Sequence, residues 1–169
     1  MRFNKNTLIY LLIITFLLAL DLRTTLKISY FYQSSLNAIL TEYNKGLQEF
    51  KKSNNPDDIR SSIRIAEQIN ISEPESLNGL TLTNILFKKQ NQKCIDYIKI
   101  LLDFSREIYI NPSNKNTIIE VYENNEKIIN LTSEVKSKGI IKTLNLQKEI
   151  NLLINKSFVD IADYIRGQK

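Results

Sequence analysis

Residues 7–52 read TLIYLLIITFLLALDLRTTLKISYFYQSSLNAILTEYNKGLQEFKK, and this stretch decides the architecture. Its first part, Thr7 to Leu20, carries no charge and is apolar around the whole circumference of a helix. A helix on the surface of a soluble domain shows a polar stripe, and this one has none. Arg2 and Lys5 precede it; Asp21, Arg23 and Lys27 follow. A basic flank ahead of an uninterrupted apolar run directs a chain to a membrane. The expected lipid-facing residues are Leu8, Leu11, Leu12, Ile13, Ile14, Phe16, Leu17 and Leu18.

Two fates are open to such a segment. A cleaved signal peptide needs small residues at two key positions before the cut, but Ala19 stands between Leu17 and Asp21. An uncleaved anchor of this length spans about 21 Å, short of the roughly 30 Å hydrocarbon core. Local bilayer thinning, with Lys5 and Arg23 reaching to the headgroups, closes that gap at modest cost. The poor cleavage chemistry favours the anchor. Arg2, Lys5 and the α-amine outweigh Arg23 and Lys27 offset by Asp21, so the N-terminus is expected inside and the body outside the cytoplasm. Tyr30, Phe31 and Tyr32 follow closely enough to suggest an aromatic belt along the membrane surface.

Beyond Leu20 the pattern changes from all-round apolar to heptad. Leu22, Leu26, Ser29, Gln33, Leu36, Leu40, Tyr43, Leu47 and Phe50 alternate steps of four and three, and no Pro interrupts them. That spacing predicts one helix leaving the membrane and running to about Lys52. Its seam faces either other helices of this chain or a second copy. As a contact surface it would consist of Leu36, Leu40, Tyr43 and Leu47.

Further helices follow from start and stop signals. Asn55-Pro56-Asp57-Asp58 supplies a cap, a Pro at the first helical position and acids in the first turn. Ile59, Ile63, Ala66 and Ile69 then form a face, which Ser72-Glu73-Pro74-Glu75 and Gly79 end. Leu80 to Ile110 reads as helix, in one piece or broken near Gln90-Asn91, with a face of Ile95, Ile98, Leu101, Leu102, Ser105 and Ile108. Asn111-Pro112-Ser113 closes it.

The stretch 116–137 is ambiguous. Ile118, Val121, Tyr122, Ile128, Ile129 and Val135 suit a helix, although Asn125 and Thr132 sit among them. Alternatively, a β-hairpin near 117–132 could turn at Glu123-Asn124-Asn125-Glu126. Gly139 marks a stop. A last helix from about Lys142 to Ile165 carries Leu144, Ile150, Leu153, Ile154, Phe158, Ile161 and Tyr164.

Composition favours helix throughout. Gly and Pro number 4 and 3 in 169 residues, against a usual combined share near 12%. A sheet protein needs many tight turns, and those residues supply them. Ile and Asn make up about a quarter of the chain, an AT-rich codon bias that says little of function. The expected fold is all-α: a membrane helix within residues 1–27 continuing into a helical bundle over 28–169.

Charge and chemistry narrow the function by exclusion. The net charge of +5 lies mostly beside the apolar segment, with +3 in residues 1–27 and near-neutrality beyond. A phosphate-tracking surface needs a concentrated basic patch, so nucleic acid is not an expected partner. There is no His, hence no imidazole base or ligand, and no phosphate-binding Gly-rich motif. The one cysteine, Cys94, borders an apolar face and is expected to be a packed thiol. No catalytic, metal or cofactor residue is expected. The expected role is binding: a membrane-anchored interaction or structural protein of an envelope-associated assembly, through a protein partner or self-association. A cleaved segment would instead make it a secreted helical effector. A third alternative is a ligand-sensing bundle with a pocket between helices.

Overall fold

A computed structural model describes residues 4–60, 64, 82–110, 112, 115–135 and 140–167. Four long helices account for most of them: α1 (Lys5–Ser53), α2 (Leu82–Ile110), α3 (Lys115–Val135) and α4 (Ile140–Gly167). Among the described residues there is no strand.

Helix α1 is 49 residues long and joins the apolar segment to the body without a break. Asn4 caps its start in an extended conformation, its side chain accepting from the Asn6 N–H at 3.4 Å. Asn54 ends it with φ at 55°, and its N–H reaches the Phe50 carbonyl at 2.8 Å. Asparagine tolerates this left-handed conformation better than most residues, because its short polar side chain bonds locally. The next helical turn, residues 56–60, starts as the sequence predicts: Asn55 Oδ1 accepts from the Asp57 N–H at 3.1 Å. Ile59 of that turn is buried. The expected face members Ile63, Ala66 and Ile69, the break at 72–75, Gly79 and the Gly139 stop lie outside the described residues.

Two alternatives left open by the sequence, a break in α2 and a hairpin in place of α3, are not found. Helix α2 is continuous through Gln90 and Asn91, since neither residue breaks a helix and each costs only a fraction of a kcal/mol there. Residues 117–132 are helix, not hairpin. Helical spacing turns Ile118, Val121, Asn125, Ile128, Thr132 and Val135 to one buried face, which an alternating strand would split between two. Asn125 and Thr132, which looked misplaced in an apolar stripe, are buried and hydrogen-bonded.

The helices close into a ring in which α1 and α4 each pack against α2 and α3. Asn37 of α1 meets Ile129 and Thr132 of α3, while Asn44 meets Tyr122 and Glu126, so α3 runs antiparallel to α1. Tyr97 and Phe104 of α2 meet Phe158 and Tyr164 of α4 in matching order, so that pair is parallel. Leu36, Ile39, Leu40 and Tyr43 of α1, Tyr97, Leu101 and Phe104 of α2, Ile128 of α3 and Ile154 of α4 fill the centre. Full burial of each large aliphatic side chain contributes roughly 1.5–3 kcal/mol.

Candidate functional site: the bare apolar helix and the core it enters

All eight predicted membrane residues lie on the part of α1 that packs against nothing else among the described residues. Leu12 and Phe16 are each 64% exposed, and Leu8, Leu11, Ile13, Ile14, Leu17 and Leu18 are exposed at half or more of their surface. Soluble proteins do not leave so large a contiguous apolar surface bare. By length and composition this helix could cross a membrane. Its polar groups suit that setting: Thr15 Oγ1 donates to the Leu11 carbonyl at 2.8 Å, which satisfies the hydroxyl within the helix.

The change from bare to buried is abrupt. Leu20 is exposed, Asp21 and Leu22 are half-buried, and Thr25 is enclosed. Five residues of helix separate Leu20 from Thr25, about 8 Å along the axis. The bundle therefore begins within two turns of the apolar segment. The aromatic triplet does not present a belt, because Tyr32 is buried in the bundle and Tyr30 is half-buried. Phe31 alone of the three is exposed, with its ring edge-on to Tyr32 at 5.9 Å.

The seam residues Leu36, Leu40, Tyr43 and Leu47 lie together in the core of the same chain, each at most 1% exposed. Helices α2 and α3 pack on α1, and residues of both share the core cluster with this seam. Tyr43 also anchors α1 to α2. Its phenol donates to the Leu101 carbonyl at 3.0 Å and accepts from Ser105 Oγ at 2.7 Å. Burial raises the Tyr43 phenol above its ordinary pKa, which the Ser105 hydrogen bond partly offsets.

Behind the seam runs a polar chain that the periodicity did not announce. Tyr97 Oη donates to Asn125 Oδ1 at 2.6 Å, and Asn125 Nδ2 donates to Asn44 Oδ1 at 3.0 Å. Asn44 Nδ2 then reaches Glu126 Oε1 at 2.9 Å and the Tyr122 carbonyl at 3.2 Å. Three helices are joined in this way at one level. One level nearer the apolar segment, Asn37 Nδ2 donates to the Ile129 carbonyl at 2.9 Å and Thr132 Oγ1 at 2.7 Å. Below that, Gln147 of α4 donates to Ser29 of α1 across the ring. Asn37 and Asn44, like Asn125 and Thr132, are seven residues apart, and that repeat was the available signal.

On α2 the buried face is Cys94, Tyr97, Ile98, Leu101, Phe104, Ser105 and Ile108. The predicted Ile95 and Leu102 are only half-buried, so the face is turned slightly from the expected one. Cys94 is buried, and burial pushes its thiol up to about 12. A protonated thiol at neutral pH is a poor nucleophile. Among the described residues, no group of three or more Cys, Asp or Glu side chains could hold a metal ion. On the outside, Leu131, Leu152 and Leu153 floor an open groove of about 470 Å³ between α3 and α4, rimmed by Lys127, Asn130 and Glu149.

The chain matches no protein-family model, no curated protein and no solved structure.

Proposed function

We propose that this chain is a single-pass membrane protein whose helical bundle stands outside the cytoplasm as an interaction module of an envelope-associated assembly. One observation carries the reading: an all-round apolar helix, bare of packing among the described residues, runs unbroken into a folded bundle. A continuous helix holds the bundle at a set distance and rotation above the bilayer. The polar chain through Asn44, Asn125 and Tyr97 adds directional constraints that a purely apolar core lacks. Such a module presents a surface and needs no reactive group. With the α1 seam occupied, a partner would gain most at the apolar side chains left outside. These include Leu152 and Val159 on α4, 61% and 60% exposed, with Leu131 and Leu153 beside Leu152 in the groove.

Liposome flotation tests the membrane half of this reading. Full-length protein purified in detergent and mixed with phospholipid should float with the vesicles once detergent is removed. An L12R/F16R double variant should stay at the bottom of the gradient, since each central Arg costs about 3 kcal/mol of insertion. Equal flotation of both proteins would contradict the anchor.

A further inference from the structure

Helices α3 and α4 pack along their length in opposite directions, and the groove between them gives their register. Lys127 and Leu131 of α3 share its lining with Leu153 and Glu149 of α4. Two turns along, toward the start of α3 and the end of α4, that register brings Glu120 opposite Asp160. The groove thus carries charges of opposite sign, Lys127 and Glu149, and the level two turns along carries like charges. Asp160 is half-buried, with Oδ2 closed off from solvent and accepting no hydrogen bond from the protein. Asn124, one turn from Glu120, is buried beside it on the same face of α3.

We propose that this upper half of the α3–α4 seam is a pH-sensitive joint, loosened when Asp160 and Glu120 are both ionised and closed when Asp160 takes up a proton. The groups facing Asp160 account for the direction. Helix α3 contributes Glu120, α2 contributes the uncharged phenol of Tyr97, and α4 itself contributes Lys156 and Asp163. Helix α1 meets α4 at Ser29 and Gln147, near the other end of α4. Burial raises the Asp160 pKa first, the charge of Glu120 raises it next, Lys156 opposes and Asp163 reinforces. A carboxyl whose folded pKa lies above its unfolded value stabilises the fold fully only below the unfolded value. That stability is lost as pH rises through the folded value. The joint therefore tightens as the surroundings acidify.

Thermal unfolding of the full chain in detergent micelles, from pH 4.5 to 7.5, tests this with D160N and E120Q. At pH 7.5, D160N should melt above wild type by roughly 2–4 °C. That difference should shrink as the pH falls through the folded pKa of the wild-type carboxyl. E120Q should move the midpoint of the wild-type change to lower pH. Amide exchange at pH 7.5 should be slower in D160N over residues 157–165 and unchanged over 146–150. A constant offset between D160N and wild type across the range, or a lower melting point for D160N at pH 7.5, overturns the joint.

Discussion

Tyr97, Asn125 and Asn44 are a buried hydrogen-bonded chain, so each group depends on the next. Removing only the Tyr97 hydroxyl, in Y97F, leaves one Asn125 acceptor position unfilled and should cost about 1–2 kcal/mol. Replacing Asn125 by the similarly sized Leu strands both the Tyr97 donor and the Asn44 acceptor. That change should cost roughly 2–4 kcal/mol, although it adds apolar volume. Urea unfolding of the full chain in micelles reads both values, and an N125L variant as stable as wild type would mean the chain is not structural. These residues were hard to read in sequence for a physical reason. Periodicity reports apolarity, and a polar residue on an apolar stripe registers as a defect until its partner on another helix is known. Asn125 and Thr132 weakened the helical reading of 116–137 when they are among the residues that hold it.

Helix α1 was legible because its signal is redundant: an uncharged run, then a heptad, with no Pro across 49 residues. What the heptad left open was whom the seam faces, since intrachain and interchain packing demand the same spacing. The fold places Leu40 and Leu47 inside the chain. L40D or L47D should therefore lose at least about 3 kcal/mol and abolish the cooperative melt. A folded variant that has merely changed its oligomeric state would show the seam to be an interface. Helix α3 offers the reverse test. E123P places Pro mid-helix, where it removes a backbone bond and costs about 3 kcal/mol with a loss of helical circular dichroism. A hairpin turning at that position would accept it with little change.

On the proposed reading, the whole molecule joins two solvents through one helix. Lipid would suit residues 7–20, which carry no charge and whose Thr15 hydroxyl is satisfied within the helix. Water suits the bundle because its apolar faces turn inward around the ring. The all-α class and the order of helices were readable from start signals, faces and the shortage of Gly and Pro. Which helices share an edge was not, because each apolar face is wide enough for more than one neighbour. The groove between α3 and α4 and the charge register along it follow only from that arrangement. The central claim is that the apolar segment stays attached and holds the bundle at a membrane. Alkaline extraction of membranes from cells expressing the chain with a C-terminal tag, read for both fraction and size, tests it most directly. The account predicts full-length protein in the membrane pellet after carbonate treatment. A shortened product in the extract would show the segment removed and the bundle released, and would contradict it.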